Sequence, residues 1–256
     1  MTAPASHPDD RKSPVIAIRA DGNPVLASGH LRRSLCIAQE LEKAGAEVIF
    51  CLADDAGRDM LADMSPEAAR DARVLYSDFR KPFREIPALS AFLKDRQADL
   101  LLVDHYHIDD LYLEKLRSSL PEIRLCVIDD FTDTDRPADL IINYVLPGRS
   151  RYVPLRPQFR DIRMPLREEV RRVFVSTGGS DPYGMREILA DRIAGALPGA
   201  EIAIPQGVDR MAAFMADCDL AVTAGGTTVY ELCATGVPTI LFTMADNQQS
   251  LARGLA

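Results

Sequence analysis

Short apolar runs rich in Val, Ile and Leu recur along this chain with room for one helix between successive runs, and that rhythm limits the fold more than any other feature. In the first half they occupy residues 15–20, 47–52, 100–106, 125–130 and 140–145. A run that is apolar on both faces must be covered on both faces, as in a strand of a parallel sheet with helices above and below it. Between the first two runs, residues 31–44 set Leu31, Leu35, Ala38 and Leu41 at helical spacing and close with Gly45, a helix C-terminal signal. The rhythm pauses at 144–165, where Pro147, Pro154, Pro157 and Pro165 alternate with Arg149, Arg151, Arg156, Arg160 and Arg163, a composition that predicts an extended connection. It resumes with strands at 173–176, 202–204, 220–223 and 239–243 and helices over 183–196, over 209–216, from Thr228 and from about Gln249. The organisation expected is a disordered tail over 1–13, an α/β domain over 14–146, a linker over 147–167 and a second, shorter α/β domain over 168–256.

Of the 256 residues, 47% are hydrophobic and 27% charged, which excludes a disordered or fibrous chain and predicts a folded, soluble one. A formal charge of −8 argues against broad attraction to nucleic acid or anionic lipid, so any phosphate recognition must be local. The five cysteines, Cys36, Cys51, Cys126, Cys218 and Cys233, form no CxxC pair and read as buried thiols, with no metal site expected. The polar first dozen residues lack an apolar signal core, and no run approaches the ~20 apolar residues of a bilayer span. A cytoplasmic location, with no membrane contact, is the expectation.

Chemistry-bearing residues collect where apolar runs end. The stretch from Arg19 to His30 joins the first strand to the first helix, and Gly29 there permits close approach to the backbone. A helix start favours anions and disfavours an imidazolium, which makes His30 a candidate general base; a capping or carbonyl-bonding role is the alternative. Two glycine loops follow later strands: Gly178, Gly179 and Ser180 in one, Gly225, Gly226, Thr227 and Thr228 in the other. Their amides and hydroxyls suit a diphosphate without needing a basic residue, although Gly-Gly can simply turn the chain. Glu231, about one turn further on, is placed to accept from a ribose. In the 104–109 segment Tyr106 could flank a sugar, while His105 and His107 lack a third metal ligand. Asp129 and Asp130 read as turn or capping residues, and Arg156 as a possible brace between domains.

Taken in order, Arg19-Ala20-Asp21-Gly22, Ser28-Gly29-His30 with Arg33, Asp104 with Tyr106, Asp129-Asp130, Asn143, the 155–159 stretch, the two glycine loops and Ala245-Asp246-Asn247-Gln248 resemble the UDP-sugar hydrolases of pseudaminic acid biosynthesis. They are similar also to spore-coat polysaccharide proteins and, more distantly, to the lipid II-forming N-acetylglucosaminyltransferases. The resemblance covers residues 15–248 and implies the GT-B architecture: two Rossmann-like domains facing a central cleft, the second one shortened. It implies hydrolysis, with inversion, of a UDP-linked 2,4-diacetamido-2,4,6-trideoxy hexose, with His30 as base toward water and no metal or cofactor. Asp21, Tyr106 and Asn247 would line the sugar side, with Arg19, Gly29 and Arg33 also toward substrate. Gly178, Gly179, Ser180, Gly225, Gly226, Thr227, Thr228 and Glu231 would line the UDP side, with Gln248 in the cleft between. The UDP-sugar is the only partner implied, and a monomer is expected. Relatives carry glycine at the position of Ala27, so this chain should have a stiffer or more crowded loop before His30. Relatives are also longer across 200–211. A glycosyltransferase, or a non-catalytic nucleotide-sugar binder, is the alternative.

Overall fold

The computed structural model describes residues 13–23, 25–78, 80–105, 107–130, 135–145, 150–178, 181, 183–245 and 248–255. The elements run β1 (Val15–Ala20), α1 (Gly29–Lys43), β2 (Glu47–Leu52), α2 (Asp55–Met64), α3 (Pro66–Arg70), β3 (Arg73–Val74), α4 (Ile86–Asp95), β4 (Leu100–Asp104), α5 (Asp110–Ser119), β5 (Arg124–Ile128) and β6 (Leu140–Ile142). They continue with β7 (Arg172–Ser176), α6 (Met185–Ala196), β8 (Glu201–Ala203), α7 (Met211–Ala216), β9 (Leu220–Ala224), α8 (Thr227–Thr235), β10 (Thr239–Phe242) and α9 (Gln249–Leu255). One sheet has the strand order β3-β2-β1-β4-β5-β6 and the other β10-β9-β7-β8. In the first, β1 pairs in parallel with β2 and β4, β2 with β3, and β4 with β5. All three pairings of the second are parallel. These are two Rossmann-like α/β sheets, six strands and four.

Two compact units divide the chain. One holds the described residues of Met1–Ala20, Ile37–Val127 and Arg136–Leu140; the other holds those of Asp21–Cys36, Ile128–Asp135 and Ile141–Ala256. The loop after β1 and the start of α1 therefore belong with the second unit.

Every apolar run forms a strand, and β1 is buried along its whole length, as a central parallel strand must be. The apolar rhythm does not single out α2, α3, α4 and α5, and three of these begin at side-chain caps. Asp54 accepts from the Gly57 N–H, Ser65 caps α3 ahead of Pro66, and Asp109 accepts from the Tyr112 N–H at 2.8 Å. The proline- and arginine-rich stretch is more than an extended connection. Its Pro157–Phe159 forms a 3-10 turn, and Phe159 packs with Phe174, Met215 and Leu232 in the core of the second unit. Composition registers the prolines and arginines but not where one aromatic ring goes. A smaller apolar cluster on Val173, Val175 and Val222 takes Leu189 and Ile193 of α6 as partly buried cover.

In the first unit, Val15 and Ala17 face a cluster that includes Leu89, Leu101 and Tyr112. Alternation along a strand puts Arg19 on that same face, and its guanidinium is fully buried. It donates to Glu85 through Nε at 2.7 Å and Nη2 at 2.9 Å. The Glu85 carboxylate also accepts from Tyr112 Oη and Ser77 Oγ, each at 2.8 Å. The fork expected at a substrate is thus engaged in the core, where it closes the end of β1. Four of the thiols are buried, and burial pushes Cys36 and Cys218 up to about 11 and Cys51 and Cys126 up to about 12. Cys233 departs from the expectation of buried thiols: Val229, Tyr230 and Leu232 take the inward face of α8 and leave it exposed.

Removing one member of a buried, fully bonded ion pair strands the other charge, which costs about 3–5 kcal/mol. Glu85→Ala is expected to lose that much in urea unfolding; a loss under about 1 kcal/mol would show that the network carries little of the stability of this unit.

Candidate functional site

The site is built where β1 hands over to α1. Asp21, 2% exposed, follows the strand, and Asn23 Oδ1 accepts from the Val25 and Leu26 N–H groups at 2.9 Å each. An isolated bridge then ties Asn23 to Ala27, whose φ is +58°. A left-handed backbone is uncommon for any residue but glycine and stores about 1–3 kcal/mol of strain. Ala27 thus stands in a backbone conformation that favours glycine. The chain enters α1 at Gly29, where an added Cβ would meet no described atom within 4 Å. No acidic residue occupies the first turn. The Arg32 Nε donates to Ser28 Oγ at 3.0 Å.

His30, the second residue of α1, is 2% exposed. Its Nδ1 lies 3.3 Å from Nη2 of Arg33, one helical turn on. The Nη1 of Arg33 donates to the Asp130 carboxylate and, at 2.7 Å, to Tyr144 Oη. Its Cζ sits 5.8 Å from the Tyr144 ring centroid. Tyr230 meets Tyr144 edge-on, 5.8 Å between centroids at 76°, and donates its hydroxyl to the Tyr144 carbonyl at 3.2 Å. Burial first and the Asp130 charge second push the Tyr230 hydroxyl up to about 12, so it stays a donor at neutral pH.

The two glycine loops differ. In the first, Gly178 has φ +88° and its N–H donates to Ser176 Oγ at 3.1 Å. The Asp181 carboxylate then accepts from the Met185 and Arg186 N–H groups at 2.9 and 3.0 Å. An anion meets a carboxylate at the start of α6, so this helix end does not offer the open amides expected of it. In the second loop α8 follows Gly226 with no side-chain cap and no acidic residue in its first turn, which leaves Thr227 and Thr228 at an amide end suited to a phosphate. Gly225 is required for another reason: a Cβ there would lie 3.0 Å from Cβ of Gln248. Gln248 closes its own turn by accepting from the Met244 N–H at 2.7 Å.

Glu231, expected at a ribose, accepts hydrogen bonds from Nε and Nη2 of Arg156, at 2.7 and 2.9 Å. Arg156 also lies over Phe159, 5.0 Å from its centroid. Tyr106, Gly179, Ser180 and Asn247 lie outside the described residues. The structure brings His30, Arg33 and Asp130 together with Tyr144 and Tyr230, of which sequence reasoning had reached only the first two as site residues. Asp130 had a signal in its place after an apolar strand; neither tyrosine had one. Among the described residues no group of three or more His, Cys, Asp or Glu side chains could hold a metal ion. No described helix is long and apolar enough to cross a membrane.

No family model matches the chain. The uncharacterized protein MJ1062 of Methanocaldococcus jannaschii is 22% identical, over 88% of this chain and 55% of that protein, so the chain spans about half the length of the curated relative. Among solved structures, MurG of Acinetobacter baumannii aligns with a TM-score of 0.65 at 13% identity, covering 95% of this chain and 83% of that one. The spinosyn rhamnosyltransferase SpnG, complexed with thymidine diphosphate, gives 0.58 at 15% identity over 94% and 84%. The glycosyltransferase SnogD from Streptomyces nogalater gives 0.55 at 14% over 95% and 86%. The fold is therefore that of the GT-B glycosyltransferases, with the smaller sheet second in the chain.

Relief of the left-handed strain at Ala27 should offset the ~0.5–1 kcal/mol entropy cost of glycine. Ala27→Gly is thus expected to melt within about 1 kcal/mol of the parent, and Ala27→Val, branched at Cβ, to lose about 1–3 kcal/mol. Thermal unfolding of both decides it, and a valine variant as stable as the parent would remove the strain argument.

Proposed function

We propose that this chain hydrolyses a UDP-linked sugar, of the diacetamido-trideoxy hexose class used for pseudaminic acid-type nonulosonates. The observation that carries the reading is the placement of His30 at the start of α1, behind a strained loop on a GT-B fold. A guanidinium stands against the ring, with Nη2 of Arg33 3.3 Å from Nδ1. In the reaction a water oxygen bonds to C1 of the sugar, the C1–O bond to the diphosphate breaks, and its electron pair leaves with UDP. The water proton passes to His30 as the attack proceeds. Diphosphate leaves readily without an acid, so a single base suffices. Open amides at the start of α8, with Thr227 and Thr228, would stabilise the departing charge. Asp21, Tyr106 and Asn247 are assigned to the sugar, Glu231 to the ribose and Gln248 to support of the second glycine loop.

A transferase reading draws on the solved structures of similar fold, two of which are named as sugar transferases. The two readings part on the acceptor. The decisive experiment incubates the protein with UDP-diacetamido sugars and follows the anomeric product by NMR. Free sugar of inverted configuration supports hydrolysis, UDP release only in the presence of an added alcohol acceptor supports transfer, and UDP binding without release supports a binder.

General-base catalysis contributes about 10²–10⁴ in rate. His30→Asn is expected to slow UDP release by that factor, and near-normal turnover would remove it as the base. A hydrogen bond to a charged acceptor contributes about 1.5–3 kcal/mol, so Glu231→Ala is expected to weaken UDP binding about tenfold to a hundredfold by calorimetry. Unchanged affinity would refute the ribose contact.

A further inference from the structure

The side chain of Arg33 offers only N–H donors and keeps its charge at any pH a folded protein tolerates. The nitrogen of His30 that faces it, Nδ1 at 3.3 Å from Nη2, must therefore supply a lone pair. In a neutral imidazole the ring proton then belongs to Nε2. We propose that Arg33 is a positioning residue that holds His30 in the Nε2–H form in the ligand-free protein, and that an anion of the phosphate class, by taking the Nη2 donor, releases the ring to the Nδ1–H form.

The geometry makes the arm stiff and the last contact yielding. His30 and Arg33 stand three apart on α1 and so share a face. The side chain of Arg33 is 6% exposed, and Nη1 is committed twice, to Asp130 and to Tyr144 at 2.7 Å. The ring of Tyr144 is itself set by Tyr230. The Nη2 contact to His30 is longer, 3.3 Å, and ends on a neutral acceptor. A phosphate oxygen carries a charge of its own and adds the attraction of opposite charges to the bond from Nη2, which a neutral ring nitrogen does not, so the exchange favours the anion. Once Nη2 turns away, Nδ1 can carry the proton, and the lone pair moves to Nε2. The tautomer itself stands on geometry alone. Its consequence for turnover rests on the hydrolase reading, because a base acting through Nε2 needs the second form.

The test is ¹⁵N NMR of the full chain with labelled histidine, in which a protonated ring nitrogen and one bearing a lone pair have well separated shifts. The chain has four histidines, and the spectrum of His30→Asn assigns the signal of His30 by difference. The ligand-free protein is expected to show the Nε2–H form in excess by about tenfold or more, as a hydrogen bond from a charged donor would dictate. A ring with the proton on Nδ1 would overturn the proposal. Arg33→Lys keeps a charge beside Asp130 and removes the fork; it is expected to mix the two forms, and an unchanged spectrum would deny Arg33 its role.

The release step is read by adding UDP to saturation, or inorganic phosphate in a parallel arm. A swap of the two nitrogen signals with UDP alone supports release by the nucleotide diphosphate. A swap with both supports release by phosphate in general, and no swap with either overturns it. Failure to find sugar hydrolysis while the tautomer is observed would remove the hydrolase reading and leave the positioning role intact.

Discussion

A single guanidinium ties the candidate site together. Arg33 reaches Asp130 just past the end of β5, Tyr144 just past β6, and His30 one turn back along its own helix. Each of these lies at or beyond the carboxyl end of a strand or the amino end of the helix that follows, where ligands collect in open α/β sheets. In an ion pair so little exposed to water, removing either partner leaves the other charge buried and uncompensated, so the arrangement tolerates few substitutes. Lysine would keep the charge but could not serve a carboxylate, a phenol and an imidazole from one planar group.

The backbone around this hub is set by local chemistry. Asn23 folds the loop back on itself through two amide hydrogen bonds, and the strained Ala27 turns it into α1. Strain of this kind persists only where the surroundings over-determine it. The two glycine loops look alike in sequence yet differ in electrostatics. Asp181 brings a carboxylate to the amides at the start of α6, while the start of α8 carries neither a side-chain cap nor an acidic residue. Charge placement at a helix end, more than the presence of glycine, separates a turn from an anion site.

Legibility in the sequence followed the cost of error at each position. Strands β1, β2, β7 and β9 could be read to within a residue, because burial on both faces admits little except aliphatic side chains. Helices α2, α3, α4 and α5 escaped; three of them start at single capping residues, Asp54, Ser65 and Asp109, a signal one residue wide that apolar runs do not carry. His30 was legible as a candidate from its place at a strand-to-helix corner, and Arg33 only through the family resemblance. Arg19, next to that corner, was not, for its destination depended on Glu85, sixty-six positions away in sequence. Asp130 looked like a turn residue and Tyr144 like part of an apolar run, and nothing near Glu231 in sequence announced its ion pair with Arg156.

From the sequence alone came the alternation of strands and helices, the two sheets, the glycine loops and the corner that bears His30. These rest on burial, helical spacing and turn chemistry, which act over a few residues and leave their mark in order along the chain. The tertiary structure alone decided which charges meet. Arg19 with Glu85, Arg33 with Asp130 and Arg156 with Glu231 join positions far apart in the chain, and a guanidinium writes the same letter in a sequence whether it will face water, a ligand or a buried carboxylate.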